Sequence, residues 1–339
     1  MKEIIFLTDF KQKSFKLDDK SKARDFFYGV DLLKDKYKIK IFDIGKIRLS
    51  KNIFNRFLSK ISFLLTGVYG TINKKIFIFF KNIPNETIII CSNDGVGFCS
   101  LIMNFILKKK FKIYVLSMGY YSKYFYYDRK SILTYIRKFF INFLLQKSCK
   151  ILFLGKEEFF FFKKFLKAHK SKASFFRFRI DDIFWKESFI YKRKLHPYIL
   201  FIGNDIMRDY DTLYKIIKNI PNIEFKIVSN RFKKSVPNKL KNITSFGFNK
   251  NQCFEISDTD LKKLIQEAEC VLLPIKKTLQ PSGQSVALQS IACGTTVIIN
   301  DFKGLWDREK IIDSQNCFLL KEKARVDDWI KSIDLVLNK

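Results

Sequence analysis

Within eight residues this chain places Ser282, Gly283, Gln284, Ser285 and Gln289, a set of types whose spacing points to chemistry. If a helix begins after Pro281, its first amides have no helical acceptor, and the helix dipole adds partial positive charge. Such an end can hold an anion, most naturally a diphosphate, without any charged side chain. Gly283 admits close backbone approach, and the serine hydroxyls add hydrogen bonds. Gln289 is the polar exception among Val286, Ala287, Leu288, Ile291 and Ala292. A buried amide needs partners, and ribose hydroxyls would supply them. The plainer alternative is that Ser282 caps the helix and Gln289 bonds a neighbouring backbone.

The elements that must position these residues are legible on either side. Cys270 to Ile275 reads as a buried strand, Lys276 to Gly283 as a polar loop, Gln284 to Cys293 as an apolar helix and Thr295 to Asn300 as a second strand. Pro274 and Pro281 keep regular structure from running through the loop, and Gly294 suits a left-handed helix end. Both strands are β-branched and do not alternate, as parallel strands covered on both faces are. The loop then lies outside the carboxyl end of a strand, where α/β folds bind phosphorylated ligands.

The run PSGQSVALQSIACGTTVIINDFKGLWD (281–307) resembles the nucleotide-sugar-binding segment of GT-B glycosyltransferases of the retaining family-four type. The usual form there has two glutamates separated by seven residues, the second followed by Ala-Met-Ala-Cys-Gly. Gln289 falls on the second glutamate, which the resemblance assigns to the donor ribose. Pro281 stands where the first would be, a departure shared by a PSGQ-loop subgroup. The resemblance implies an α/β fold of two Rossmann-like domains facing a cleft. It implies a glycosyltransferase of hexosyltransferase type that moves a sugar from a UDP-, GDP- or dTDP-sugar to a hydroxyl of a glycan or lipid-linked acceptor. The setting expected is cell-surface polysaccharide synthesis, with no further cofactor.

Other segments extend it. YILFIGNDIMRDY (198–210) reads as a strand ending at Gly203, a loop and a helix start. Arg208 matches a diphosphate-binding cation of the family, while Asn204 stands where a first Arg is common. The alternative pairs Arg208 with Asp205 or Asp211 on the surface. With the amides of Ser282 to Ser285, Arg208 would stabilise the leaving diphosphate, so no metal is required. Gly247 and Phe248, in SFGFN, match a loop that meets the nucleobase. Asp258 to Asp260 spells DTD but reads as a helix N-terminus with acids in its first turn. FFRFRIDDIFW (175–185) resembles the close of the family's N-terminal domain at Asp181, Phe184 and Trp185, with Arg179 where Gly is usual.

The first half reads as strands at Glu3 to Leu7, Lys38 to Asp43, Thr87 to Cys91, Lys112 to Leu116, Ile151 to Leu154 and Ser174 to Phe178. Helical patterns fall between them, including Phe98 to Lys108, Ser131 to Lys147 and Glu157 to Lys167. That alternation implies a parallel sheet. SNDGVG (92–97) follows a strand, and either its glycines flank a sugar or it is a tight turn. Asn93 is an acceptor candidate there, and Asp94 is the candidate general base, chosen without a motif. SMGYYSKYFYYDRK (117–130) offers Gly119 and Tyr120 as acceptor contacts, unless its tyrosines are ordinary surface aromatics. Met118 occupies a place where the family often has His, and His169 and His196 read as solvated. Residues 50–82 suit either a helix pair packed on the sheet or an interfacial patch dipping into lipid. The boundary expected from the basic linker ending at Pro197 gives an acceptor domain at 1–190 and a nucleotide-sugar domain, with a closing helix, at 191–339.

Charge is uneven. Residues 1–200 carry 42 basic and 16 acidic side chains, and residues 201–339 carry 22 and 17. A positive field of that kind recruits nucleic acid or an anionic membrane surface. No zinc-finger spacing, RNP-type aromatic motif or basic-region heptad is present, so the membrane is favoured and no nucleic acid is expected. No apolar run reaches the ~20 residues of a transmembrane helix, and MKEIIFLTDF reads as a first strand. Seven cysteines without CxxC pairs suit a reducing compartment. The combined expectation is a cytoplasmic protein, peripheral at the inner face of the cell membrane. The rival is a non-catalytic or nucleic-acid-binding protein that retains the GT-B fold.

Overall fold

A computed structural model describes residues 2–9, 21–44, 53–67, 74–127, 132–146, 149–187, 197–235, 240–247 and 256–338. The chain divides into two compact units. The first comprises residues 1–17 and 26–178, and the second residues 18–25 and 179–339.

In the first unit the strands are β1 (Glu3–Thr8), β2 (Lys38–Asp43), β3 (Ile88–Cys91), β4 (Lys112–Ser117), β5 (Cys149–Phe153) and β6 (Ala173–Phe175). They form a parallel sheet in the order β2-β1-β3-β4-β5-β6. The helices are α1 (Ile53–Thr66), α2 (Lys74–Asn82), α3 (Asp94–Ile106), α4 (Ile132–Leu145) and α5 (Lys156–Phe165), with a π-helix at Ser122–Tyr127. Every expected strand is present, with ends shifted by up to three residues. Helix α3, however, starts four residues before Phe98. The side chain of Asn93 accepts from the Val96 amide at 3.0 Å, so a cap and not a tight turn follows β3.

The second unit holds β7 (Tyr198–Ile202), β8 (Glu224–Val228), β9 (Ile243–Phe246), β10 (Cys270–Leu273), β11 (Thr296–Asn300) and β12 (Phe318–Leu320), parallel in the order β12-β11-β10-β7-β8-β9. Its helices are α6 (Tyr210–Asn219), α7 (Asn230–Ser235), α8 (Asp258–Glu267), α9 (Gln284–Ala292) and α10 (Val326–Leu337). Period-two alternation divides the core between the two faces of this sheet. Val271, Leu273, Val297 and Ile299 pack with Ile265 and Ala287, while Cys270, Leu272 and Ile298 pack with Leu213, Ile217, Trp329 and Ile333. All of β7 and β10 is buried, whereas the edge strand β12 is half-buried. That is why the central strands read as unbroken apolar runs. Gly294 closes α9 at φ 77°, and Ser257 caps α8 by accepting from the Asp260 amide at 3.1 Å.

Among the described residues no helix is long and apolar enough to cross a membrane. Residues 50–82 include two helices, α1 and α2. His169 corrects its expectation: it is buried at 8% exposure, and burial together with Lys172 lowers its pKa.

Helix α3 rests on β4 at Gly97, where an added Cβ would lie 2.7 Å from Cγ2 of Val115 and closer still to Cγ1. Val115 is stiff at χ1 and cannot swing aside cheaply. Gly97→Ala is therefore expected to destabilise the protein by about 1–3 kcal/mol despite alanine's better helix propensity. Chemical denaturation of the two proteins would measure the difference.

Candidate functional site

In the second unit the strand order reverses between β7 and β10, the position at which open α/β sheets bind ligands. The loops that follow these two strands are joined backbone to backbone. The amide of Asp209 donates to Pro274 O and that of Lys276 to Met207 O, each at 2.8 Å. The side chain of Asn300, ending β11, holds Ile275 from both sides, donating to its carbonyl at 3.0 Å and accepting its amide at 2.8 Å.

Arg208 lies within this junction. The pair with Asp205 considered for it is present but is not a surface one, since Arg208 is 3% exposed. Its Nε stands 3.1 Å from Asp205 Oδ2 without hydrogen-bond alignment, and its Nη1 has no partner among the described residues. Burial lowers the pKa of Arg208 while Asp205 opposes the shift, and a guanidinium stays charged under both. Two glycines make room for it. A Cβ on Gly283 would meet Nη1 at 2.7 Å, and one on Gly203 would meet Cδ at 3.0 Å and Nε closer. Gly283 also takes φ 85°, a left-handed value that other residues rarely adopt.

The start of α9 faces the same slot. Ser282 binds Asp205 Oδ1 through its hydroxyl at 2.8 Å, and its amide donates to Gln280 O. The Gln284 amide makes a long bond of 3.4 Å to Pro281 O. Of the four amides expected to be open, these two are thus engaged. The amides of Gly283 and Ser285 have no acceptor among the described residues, nor does that of Val286, one position further on. A buried cation with a free N–H beside unpaired helix-end amides is an arrangement that accepts an anion.

Gln289 is 5% exposed, and its Nε2 donates to Asp25 Oδ2 at 2.7 Å. Its burial thus needs neither ribose nor a neighbouring backbone to explain it. Asp25 also accepts from Trp185 Nε1 at 2.7 Å and from the Asp181 amide, and burial raises its pKa against those bonds. Arg24, beside it, forks onto Asp181 at 2.8 and 3.2 Å. No motif announces Asp25, because its partners lie more than 150 positions away. Gly247 follows β9, and a Cβ there would meet Asn230 Oδ1 at 2.6 Å. Phe248 lies outside the described residues. Asn204 accepts from the Asn230 amide at 2.8 Å and pairs with Ser229 Oγ at 3.2 Å.

The candidates of the first unit gather at the carboxyl ends of β3 and β4 but are turned inward. Asn93 is occupied by Val96 and by Asp9, to which its Nδ2 donates at 2.9 Å. Tyr120 is 4% exposed and donates its hydroxyl to Thr66 O, while its ring packs on Phe98, Tyr121 and Tyr124 at 5.0–5.2 Å. It belongs to the core, which corrects its expected role on an acceptor. The Gly119 amide donates to Glu158 Oε2 at 2.6 Å, and the Ser122 amide donates to Oε1 at 2.9 Å. Glu158 went unrecognised in the sequence, since KEEFFFF shows only acids in a first helical turn.

Asp94 is also buried, at 6% exposure. Burial, then the charge of Glu158, pushes its carboxyl up to about 8. Burial pushes Glu158 up to about 7, against the pull of the Ser122, Gly119 and Tyr121 amides. A carboxyl that is protonated near neutrality and sealed from solvent is not placed to act as a base, which corrects the assignment of Asp94. Both groups bind protons more tightly in the folded chain than in the unfolded one. Stability contributed here therefore falls as pH rises from about 4 to about 8. The melting temperature is expected to be higher at pH 6 than at pH 8, and Asp94→Asn should shrink that difference. Calorimetry of both proteins at the two pH values would check it.

No protein-family model matches the chain, and no curated protein matches it in sequence. Solved structures do match. Alr3699/HepE of Anabaena, in complex with UDP and glucose, aligns at a TM-score of 0.63 with 12% identity, over 100% of this chain and 90% of its own. The lipopolysaccharide outer core galactosyltransferase WaaB, in its apo form, aligns at 0.53 with 13% identity over 100% and 90%. AviGT4, a glycosyltransferase involved in avilamycin A biosynthesis, aligns at 0.51 with 9% identity over 98% and 88%. At such identities the likeness is one of fold, and two parallel six-stranded α/β units matching these structures along their length give this chain the GT-B fold.

Proposed function

We propose that this protein is a glycosyltransferase that takes a nucleoside-diphospho-sugar donor in its second unit and an acceptor hydroxyl in its first. The observation that carries the reading is the Arg208 guanidinium, buried with Nη1 unpartnered beside the open amides of Gly283, Ser285 and Val286. In the reaction the bond from the anomeric carbon to the diphosphate oxygen breaks, a new bond forms from that carbon to the acceptor oxygen, and the acceptor's hydroxyl proton passes to the departing diphosphate. Negative charge grows on the departing diphosphate, and fixed donors aimed at it lower the barrier. Arg208 and the α9 amides supply those donors from this chain's own residues, so the transfer is proposed to need no metal. By resemblance, Gln289, held by Asp25, is assigned to the ribose and Gly247 to the base.

The UDP and glucose bound by the Anabaena protein support a UDP-hexose donor. The lipopolysaccharide named for WaaB, together with the basic first unit, supports a glycan or lipid-linked acceptor in cell-surface polysaccharide synthesis. The protein would work as a peripheral protein on the cytoplasmic face of the membrane.

Thermal shift with UDP, GDP and dTDP tests the donor site. A nucleotide held at about 100 times its Kd adds about 2.7 kcal/mol to stability. One of the three is expected to raise the melting temperature of the parent protein, with the rise lost in Arg208→Ala and in Gly283→Ala. Indifference of the folded parent to all three would refute the reading.

A further inference from the structure

Helix α1 is amphipathic in the reverse sense to a core helix. Its buried positions are Ser59, Ser62 and Thr66, at 2–5% exposure. Its outward positions are Phe54, Phe57 and Leu64, at 65%, 58% and 49%. A surface helix of a globular protein normally shows its polar side outward. Helix α4, which packs against α1 and whose Arg137 stands 5.8 Å from the Phe63 ring, repeats the inversion over residues 132–139. Thr134 and Arg137 are buried, while Ile132, Tyr135 and Phe139 are 76%, 67% and 71% exposed. Helix α1 and the first half of α4 thus turn hydroxyls and an arginine inward and aromatic and aliphatic side chains outward, while the second half of α4 buries Ile141, Leu144 and Leu145 in the core. Contiguous exposure of that kind marks an interaction surface.

The charge on the same helices selects the occupant. Neither α1 nor α4 contains an acidic residue; Arg56 and Lys60 are exposed on α1, and Lys138 is half-buried on α4. Apolar side chains interleaved with cations, with no anion among them, suit the boundary between acyl chains and anionic headgroups. A nucleic acid would draw on the cations and leave the aliphatic side chains without a role. We propose that the outward faces of α1 and α4 form one membrane-docking surface for anionic phospholipid, with Phe54, Phe57 and Phe139 inserted below the headgroups. The inference rests on the peripheral-membrane part of the proposed function and is independent of sugar transfer.

The surface is also tied to the segment that follows β4. Tyr120 and Tyr124, in the segment following β4, donate their hydroxyls to Thr66 O and Gly67 O at the end of α1. An acceptor carried on a lipid would be met by the unit whose helices face the bilayer.

The experiment uses the full chain with vesicles of phosphatidylglycerol or of phosphatidylcholine alone. Co-sedimentation is expected with the anionic vesicles only. The triple variant Phe54→Ser, Phe57→Ser, Phe139→Ser is expected to bind at least tenfold more weakly while still unfolding cooperatively. Position is read separately by single tryptophans, because Trp185, Trp306 and Trp329 are all buried in the second unit. Brominated phosphatidylglycerol is expected to quench Phe57→Trp and Phe139→Trp but not Leu335→Trp on α10. If the parent protein ignores anionic vesicles, the membrane reading falls with the docking face. If it binds them but the triple variant binds equally, or Leu335→Trp is quenched as strongly, the assignment to α1 and α4 is overturned alone. A dimer that the triple variant dissolves, with no lipid binding, would overturn lipid in favour of a second copy. UDP-dependent thermal shift stands or falls apart from every one of these outcomes.

Discussion

A guanidinium taken out of water needs negative charge close by, and the second unit is arranged around one whose needs its own fold meets on one flank only. Burying a charge is unfavourable by several kcal/mol unless a partner in good geometry offsets it. Asp205 partly offsets Arg208 and simultaneously fixes Ser282, so the same carboxylate connects the β7 loop to the start of α9. Gly203 and Gly283 are the residues that leave room, and the pairing of residues 207–209 with 274–276 sets the height of the arginine above the sheet. The open flank and the α9 amides point the same way in chemical terms. In the proposed reading, an anionic ligand would complete an electrostatic arrangement that the protein's own side chains leave unfinished.

How much of this was legible in the sequence follows the range of each interaction. The strand-loop-helix-strand unit at 270–301 was readable because β-branched runs, two prolines and a glycine are local signals, and β10, α9 and β11 fall where those signals put them. Gly294 ends α9 and Asp258 to Asp260 open α8 as expected for the same reason. Arg208 is readable in the sequence as a cation after a strand, but not as a buried one, since its burial depends on glycines 5 and 75 positions away. Asp25 and Glu158 were illegible. One serves Trp185 and Gln289 across more than half the chain, and the other serves amides of a loop 36 to 39 residues earlier. The tyrosines after β4 were misjudged because an aromatic-rich loop looks alike whether its rings face a ligand or fill a core.

The first unit shows what those misjudged residues do. Glu158 collects the amides at the start of the segment after β4, and Tyr120 and Tyr124 carry that segment to the end of α1. The buried carboxyls, the aromatic cluster and the inverted helices thus form one continuous piece of structure. Small hydroxyl side chains form the buried face of α1, which leaves its bulky apolar residues directed away. A helix pair at 50–82 and an outward apolar face are compatible, because α1 is a helix of that pair and carries such a face.

The backbone passes from the first unit to the second after Leu17, returns at Phe26 and crosses a third time after Phe178. Eight residues at 18–25 therefore belong to a body whose remainder begins 154 positions later, and Asp25 is the last of them. The stretch from residue 179 onward therefore does not by itself encode a complete second unit. Recombination that exchanged the sequence from residue 179 onward between relatives would deliver an indole, a backbone amide and a glutamine all directed at a carboxylate left behind on the other parent. Shuffling of this architecture is thereby restricted to exchanges that carry the short amino-terminal insert along, a constraint imposed by connectivity and one buried acid.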